Sequence, residues 1–331
     1  MSLPPLLQLS LQNELAQAPI QKLQSAYSKL SDQYRINRNL IHFSLQNTEQ
    51  RISYLAARMP ATYEAVYHVL NEIELENENE LNSLLDVGAG PGTASWACSE
   101  RFPSIQKLTL IEQNKEMAEL GKKLSQNHPL LKNADWKIAD FTKNIEKIEP
   151  ADLVIASYSF NEIGEKNQQQ FLKFVWEKTK KYLVLIDPGT PQAFHAIHKA
   201  RQWFIENNAS ILSPCPHMLT CPAFQNEDWC HFSARVQRSS LHKMLKEGEK
   251  GYEDEKFSYL ILTKGQIANY EGRIVRNPDI NSGHLKLHLC TKKGFESITY
   301  SKKQGLLYKR ARKSSWGDRW VISPSQDELS D

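Results

Sequence analysis

Apolar residues in the N-terminal part of the chain recur at steps of three and four, as at Ile52 and Leu55. That spacing places them on one face of a helix, so the pattern predicts a helical N-terminal region over residues 1–80. Pro60 is expected at the start of a helix, because the fixed backbone angle of proline suits the first helical turn. The acidic run at residues 74–80 predicts an exposed linker at the end of this region.

Beyond this linker the pattern changes to short apolar runs that alternate with helical stretches. Five runs predict strands, at residues 84–87, 108–112, 136–139, 152–157 and 182–187. Strands that alternate with helices build a doubly wound, largely parallel sheet. We therefore predict an α/β domain over residues 81–265, with a cysteine-rich insertion at residues 213–232. Residues 257–262 are expected to return to strand.

The last part of the chain predicts a separate small β unit. Short β-like runs alternate with glycine turns between residues 272 and 320, so this unit is placed at residues 266–322 and contributes Cys290. Residues 323–331 are predicted to be a disordered tail. No internal repeat interrupts this order.

Charge is distributed unevenly along a chain whose formal net charge is only +3. Residues 286–320 hold ten Lys and Arg against two Asp and Glu, so the remainder of the chain is acidic. A basic segment on an acidic body is typical of a partner that carries phosphates. Its cations alternate with Tyr300, Tyr308, Trp316 and Trp320. These aromatic side chains could stack on unpaired bases or form the core of the small β unit.

The chain has no run of about 18 apolar residues, and residues 1–22 lack the basic start and apolar core of a secretory signal. We therefore expect a cytoplasmic, bacterial-type protein without a transmembrane segment, and a monomer. In a reducing compartment, clustered cysteines bind metal or carry out redox chemistry more often than they form disulfides.

A glycine-rich loop follows the first predicted strand, with the sequence Asp86-Val-Gly88-Ala-Gly90-Pro-Gly92-Thr. Glycines at the end of a strand let the backbone turn sharply and approach a ligand closely. The spacing G-x-G-x-G differs from the dinucleotide fingerprint, whose third glycine lies one position later. Asp86 would repel a diphosphate but suits a cationic ligand, so the loop favours a ligand with an amino acid and a sulfonium.

Two more acidic residues end the next predicted strands. Glu112 is placed to accept the hydroxyls of a ribose, and Asp140, with Phe141 beside it, to bind and cover an adenine. Residues 84–188 together resemble the class I S-adenosylmethionine-dependent methyltransferases. The resemblance implies that Asp86 and the loop glycines surround the methionine part of S-adenosylmethionine. It also implies a Rossmann-like sheet.

The end of the fourth predicted strand is where the methyl group of such a cofactor would emerge. The segment there reads Ser157-Tyr158-Ser-Phe160-Asn161-Glu162. Tyr158 and Phe160 could stack on a base while Asn161 and Glu162 orient it. The alternative is that the Ser, Asn and Glu side chains only cap the following helix. The sequence does not decide between the two.

Cys215, Cys221 and Cys230 lie within sixteen residues, next to prolines and histidines, and Cys290 follows sixty positions later. Four thiolates are the complement for a structural zinc ion or an iron–sulfur cluster, and His217 or His231 could replace one cysteine at zinc. Four unrelated buried cysteines are the alternative. A pair of catalytic cysteines is disfavoured, because both would lie about thirty residues past the fifth strand.

The motifs together resemble the methyltransferase-like assembly factors of the mitochondrial small ribosomal subunit and their bacterial relatives. The most specific matches are Cys215-Pro-His217 and Asp228-Trp-Cys-His-Phe232. Further matches lie at residues 54–63, 85–93, 157–162, 186–190, 253–259 and 311–318.

This resemblance implies a [4Fe–4S] cluster on Cys215, Cys221, Cys230 and Cys290. It also implies that S-adenosylmethionine is bound and that the chain acts on the small ribosomal subunit, by rRNA methylation, by assisting assembly, or by both. The alternative is a catalytically inactive assembly factor with a structural zinc or [4Fe–4S] site. Contact with rRNA is expected through the basic residues Lys302, Lys303, Lys309, Arg310, Arg312 and Lys313.

Overall fold

The computed structural model describes residues 3–16, 19, 21–28, 48–75, 77, 80–140, 147–237, 251–265 and 270–321. The chain forms two compact units, and each unit is made of two separate segments of the chain. The first unit comprises residues 1–186 and 234–255, and the second comprises residues 187–233 and 256–331. The domain boundaries expected at residues 80, 265 and 322 stay a prediction, because compactness alone does not show which segments fold independently. The expected tail at 323–331 lies outside the described residues.

The N-terminal region of the first unit is helical. It contains α1 (Pro5–Leu15), a helical segment at residues 21–28 and α2 (Thr48–Leu70). The expectation that a helix begins at Pro60 is wrong, because α2 starts at Thr48 and runs through this proline. The interior proline removes one helical hydrogen bond. The apolar face of α2 nevertheless continues on both sides of it, with Leu55 and Val66 fully buried.

The first unit is built on a parallel sheet, as the sequence predicts. Its strands are β1 (Ser83–Val87), β2 (Lys107–Glu112), β3 (Asp135–Ile138), β4 (Ala151–Ser157) and β5 (Thr179–Pro188). Their order is β3-β2-β1-β4-β5, and every neighbouring pair is parallel. The order reverses at β1, and ligands of doubly wound sheets bind beyond the strand ends at such a point.

Three helices connect these strands: α3 (Thr93–Arg101), α4 (Lys115–Ser125) and α5 (Glu165–Lys178). The first two are the helical stretches that the sequence predicts after the first and second strands. Asn114 fixes the start of α4, because its side-chain oxygen accepts a hydrogen bond from the backbone N–H of Met117 at 3.0 Å. The expectation of a Rossmann-like α/β fold is confirmed for this unit.

The second unit begins with α6 (Pro191–Glu206), whose first turn is capped by the Thr190 hydroxyl accepting from the Ala193 N–H at 3.3 Å. The cysteine-rich segment then runs from β6 (Ser210–Ser213) through the short α7 (Pro222–Gln225) to β7 (Phe232–Gln237). The strand expected at residues 257–262 is part of the longer β8 (Tyr252–Thr263). Strands β6 and β8 pair antiparallel.

The C-terminal part of the second unit contains a five-stranded antiparallel sheet. Its strands are β9 (Gly272–Ile274), β10 (Asp279–Ile280), β11 (His284–Thr291), β12 (Gly294–Ser301) and β13 (Arg319–Trp320). The sequence predicts β-like runs here, but a helix, α8 (Leu306–Lys313), lies between β12 and β13. It forms because Tyr308 and Ala311, three positions apart, pack into the core of this sheet.

No helix in the described part of the chain is both long enough and apolar enough to cross a membrane.

Candidate functional site

The glycine loop connects β1 to α3 at the point where the strand order reverses. Gly88, Gly90 and Gly92 all have positive φ angles, of 74°, 55° and 80°. Gly88 also has no room for a side chain, since a Cβ atom there would stand 2.6 Å from the Cβ of Ser159. The loop therefore needs glycine at its first position for two independent reasons, conformation and close approach.

The loop is held against the second strand by its own backbone. The N–H groups of Gly88 and Ala89 both donate to the carbonyl oxygen of Ile111, at 2.9 and 3.0 Å. The Glu112 carboxylate accepts from the Gly90 N–H and from the Asn114 N–H, both at 2.7 Å. Glu112 is therefore fixed in position by two charge-assisted hydrogen bonds.

Asp86 is fully buried directly below the loop. Its Oδ2 accepts a hydrogen bond from the Ser95 hydroxyl at 2.8 Å, while Oδ1 has no hydrogen-bond partner among the described residues. Burial raises the pKa of this carboxyl from 3.8 to about 7, the hydrogen bonds from Ser95 oppose the rise, and the negative charge of Glu112 adds to it. A buried carboxylate with an unused acceptor atom is suited to a cationic group.

These residues line a cavity of about 290 Å³ at the carboxyl ends of the strands, called here the strand-end cavity. Its volume is close to the lower end of the range for small-molecule sites. Seven of the ten predicted cofactor-binding and catalytic residues line it, namely Asp86, Gly88, Gly90, Glu112, Asp140, Tyr158 and Glu162. The structure thus gathers Asp86, Glu112 and Asp140, which end or follow three different strands, around one space. Phe141 lies outside the described residues.

Three predicted residues stand apart from the strand-end cavity. Gly92 caps α3, and a Cβ atom there would lie 3.5 Å from the Leu110 side chain and 3.6 Å from the Trp136 ring. Phe160 is buried and stacks on Phe171, with ring centroids 5.5 Å apart. Asn161 lies beside it in a turn of 3-10 helix and does not line the cavity.

The alternative interpretation of the segment 157–162, that its polar side chains cap the next helix, is wrong. Helix α5 is capped by Gly164, and no side chain caps either α5 or the preceding turn. The Ser159 hydroxyl instead donates to the Val87 carbonyl at 3.1 Å, which joins the end of β4 to the glycine loop.

Tyr158 adopts a left-handed backbone conformation, with φ at 56°, which is rare for a bulky residue. Its hydroxyl donates to Glu255 Oε1 at 2.9 Å. Arg58 makes two hydrogen bonds to the same carboxylate, at 2.8 and 3.2 Å, and its guanidinium carbon lies 5.9 Å from the centre of the Tyr158 ring. Strain of this kind persists only where surrounding contacts hold it, and Arg58 and Glu255 supply them.

One wall of the strand-end cavity comes from a helix that the motifs of the central sheet do not reveal. Tyr54, Met59 and Thr62 of α2 line the cavity. Residues 54–63 are one of the matches to the assembly-factor family. They contain no motif that would identify them as part of a binding site.

A second cavity, of about 40 Å³, lies within the second unit and is called here the cysteine cavity. It is lined by Cys215, Cys221, Cys230 and Cys290, so the structure brings together the four cysteines that the sequence singles out. Burial raises the pKa of Cys230 well above its usual value, and the nearby thiols of the other three raise it further. The four cysteines therefore lie around one cavity.

The expectation that these cysteines bind metal is not confirmed by the geometry. Across the residues that the structure describes, no group of three or more His, Cys, Asp and Glu side chains is arranged to hold a metal ion. Of the two candidate histidines, only His217 lines the cavity, with Nε2 at 3.7 Å from Cys290 Sγ. His231 stacks on Trp229, with ring centroids 5.1 Å apart. The donor type and the closeness of the four thiols nevertheless fit a thiolate-ligated centre.

The predicted basic surface lies on α8 and the turn before it. Lys302, Lys303, Lys309, Arg312 and Lys313 are exposed, whereas Arg310 is half-buried with its guanidinium carbon 4.9 Å from the Trp320 ring centre. Most of the aromatic side chains between them face inward.

Tyr300, Tyr308 and Trp320 are buried in the core of the antiparallel sheet with three leucines of β11. This confirms the core interpretation for these three residues and excludes base stacking by them. Trp316 is half-buried and meets the ring of His231 edge-on, with centroids 4.8 Å apart.

A parallel sheet of order β3-β2-β1-β4-β5, with a glycine loop and three acidic residues at one edge, defines a class I methyltransferase-like protein. The profile of the family described as "Mitochondrial small ribosomal subunit Rsm22" matches residues 48–321. The chain therefore belongs to the Rsm22 family.

Two curated relatives are similar over much of the chain. The human protein named "Ribosome assembly protein METTL17, mitochondrial" is 27% identical over an alignment of 295 residues that covers 82% of this chain and 63% of that protein. The Schizosaccharomyces pombe "Rsm22-cox11 tandem protein 2, mitochondrial" is 25% identical, over 82% of this chain and 43% of that protein. The chain thus spans less than two thirds of the length of either relative.

Among solved structures, the magnesium protoporphyrin IX methyltransferase of Synechocystis with bound SAM is similar with a TM-score of 0.40 and 11% identity. The match covers 72% of this chain and 97% of that one.

Proposed function

We propose that this chain binds S-adenosylmethionine in the strand-end cavity and acts on the small ribosomal subunit during its assembly. The observation that carries the first part is the convergence of Asp86, Glu112 and Asp140 on one cavity beside the glycine loop. Asp86 would receive the cationic amino acid end of the cofactor, Glu112 the ribose hydroxyls and Asp140 the adenine. When bound, the cofactor would supply an activated methyl group.

The acceptor would approach where β4 ends, and Tyr158 and Glu162 are the predicted residues that remain candidates there. Both line the strand-end cavity, whereas Phe160 is buried in the core. The ring of Tyr158 would form the wall against which a planar base could lie. Glu162 would orient the exocyclic groups of that base.

rRNA methylation is tested by mapping the methylated positions of small-subunit rRNA in wild-type and deletion strains. Methyl transfer predicts that at least one position loses its methyl group in the deletion strain and regains it on complementation. An unchanged methylation map would reject rRNA methylation and leave the second candidate, a binding factor that holds the cofactor without turnover.

The second candidate is favoured by the family, because the relatives are named as ribosome assembly or small-subunit proteins. The exposed cations of α8 and its preceding turn support contact with rRNA phosphates. A binding factor without turnover predicts co-sedimentation with small-subunit precursors that survives Asp86→Ala but is lost in Cys230→Ser. Loss of co-sedimentation in both variants, or in neither, would argue against it.

We also propose that Cys215, Cys221, Cys230 and Cys290 hold a [4Fe–4S] cluster, with zinc as the alternative. Support comes from the four thiols around one cavity. A cubane cluster binds each cysteine to a different iron, so it needs its thiols further apart than a single ion does. Anaerobic purification with metal and sulfide analysis decides between iron–sulfur and zinc.

A further inference from the structure

Two buried guanidinium groups stand in the wall of the cysteine cavity. Arg201 of α6 is 3% exposed and Arg273 of β9 is 1% exposed, and both line the cavity. None of the described residues that line it is an aspartate or a glutamate. Burying the guanidinium of Arg201 in a wall that contains no carboxylate is strongly unfavourable. The cavity wall is therefore built for a negatively charged centre.

Arg201 also fixes the stretch from Cys215 to Cys221, called here the cysteine loop. Its Nη2 donates to the carbonyl oxygens of His217 and Leu219, at 3.0 and 2.7 Å. Both carbonyls belong to the stretch between Cys215 and Cys221, so one guanidinium fixes the path of the chain from the first cysteine to the second. The Nε atom of Arg201 is buried and has no hydrogen-bond partner among the described residues.

Arg273 holds the other side of the same loop. Its Nε donates to the Pro214 carbonyl at 3.0 Å, directly before Cys215, and Nη2 donates to the hydroxyl oxygens of Ser213 and Tyr270 at 2.9 and 2.8 Å. Protein groups thus use all three of its nitrogens, since Nη1 donates to the carbonyl of Gly317. The Nε donor of Arg201, by contrast, is used by no described residue.

We infer that Arg201 is a positioning residue for the centre held by the four cysteines, which it serves both by tethering the loop and by offsetting negative charge. The inference rests on the metal site proposed above. A zinc ion or a [4Fe–4S] core with four thiolates is an anion in either case, because the thiolates carry more negative charge than the core carries positive charge. A buried cation beside it stabilises the loaded form.

The test compares metal release from the anaerobically purified full chain to an excess of chelator. Arg201→Gln keeps side-chain donors but removes the charge, and Arg201→Lys keeps the charge but loses the fork of donors. Arg235→Gln is the matched control, since this exposed arginine is paired with Asp254 in the other unit. We expect release to be about ten-fold faster in Arg201→Gln, two- to three-fold faster in Arg201→Lys and unchanged in the control.

The lysine variant separates the effect of charge from that of folding. If Arg201 were only a structural tether, metal release would be equally fast in Arg201→Lys and Arg201→Gln. For an iron–sulfur centre, Arg201→Gln also shifts the midpoint potential to a more negative value. Equal release rates in wild type and Arg201→Gln, or in Arg201→Lys and Arg201→Gln, would overturn the inference alone. A wild-type chain that binds neither iron nor zinc would overturn the metal proposal and this inference with it.

Discussion

Asp86→Asn is the substitution that tests the strand-end cavity most sharply, because it changes charge while keeping shape. The carboxyl is fully buried, accepts one side-chain hydrogen bond from Ser95, and has its pKa raised from 3.8 to about 7. An unfolded chain releases this proton near pH 3.8, whereas the folded chain keeps it up to about pH 7. The carboxyl therefore lowers stability progressively as the pH rises through that window.

The magnitude follows from the size of the pKa change. Each pH unit between the two pKa values is worth about 1.4 kcal/mol, so the ionised carboxylate costs the folded state about 4 kcal/mol above pH 7. Asparagine removes that cost but places an amide N–H₂ where Oδ1 has no described partner, which costs about 1–3 kcal/mol. We expect the variant to be about 1–3 kcal/mol more stable than wild type at pH 8 and less stable at pH 5.

Urea unfolding of both chains at pH 5 and pH 8 measures this difference. The stability of Asp86→Asn relative to wild type should rise by about 3 kcal/mol between the two pH values, whatever the amide itself costs. Asp152→Asn is the matched control, since this carboxylate accepts from two backbone N–H groups and the Ser83 hydroxyl. We expect it to destabilise the chain at pH 8 by about 1–2 kcal/mol.

The same variant should bind S-adenosylmethionine about ten-fold more weakly at pH 8, because a charge-assisted contact to the cationic amino group is lost. A variant more stable than wild type with weaker binding is the signature of a functional buried charge. If the unfolding free energies of wild type and Asp86→Asn change in parallel with pH, or the affinity is unchanged, Asp86 is not a buried ionisable group that contacts the cofactor.

Three further predictions concern residues at or beside the strand-end cavity. Gly88→Ala should abolish cofactor binding, because the added Cβ would stand 2.6 Å from the Ser159 side chain. Gly90→Ala has open space beside it and should weaken binding only through its φ of 55°, so equal losses of affinity in calorimetry would contradict the close approach at Gly88. Phe160→Ala should lower the free energy of unfolding by about 3–5 kcal/mol and leave cofactor affinity unchanged. If the variant is still folded but binds the cofactor more weakly, Phe160 contacts the ligand. Glu255→Gln should weaken cofactor binding about five-fold, because the hydrogen bond that holds Tyr158 in place becomes weaker. Binding titrations that coincide with those of wild type would show that Glu255 does not position Tyr158.

The strand-end cavity could be predicted from the sequence because parallel strands bring their carboxyl ends to one edge. Asp86, Glu112 and Asp140 each end or follow a short apolar run, so identifying the strands was enough to bring the three together. The partner of Tyr158 could not be found this way. Glu255 is 97 residues away in sequence, and no local pattern records which carboxylate a distant hydroxyl will meet.

At two places packing decides what local sequence preference does not. Pro60 was expected to start a helix by local preference, but packing of the apolar face on both sides of it carries α2 through. The aromatic residues among the C-terminal cations fitted both a binding surface and a core. A β unit of some fifty residues has few other large side chains to bury, so Tyr300, Tyr308 and Trp320 supply its core.

We propose above that this chain, with its methyltransferase-like cavity, acts on the small ribosomal subunit. Sucrose-gradient sedimentation of a lysate, with the chain detected across the fractions at low and then rising salt, tests it most directly. We expect the chain to migrate with precursors of the small subunit and to be released as salt increases, because exposed cations would make the contact. A chain that stays at the top of the gradient at every salt concentration would contradict the proposed function.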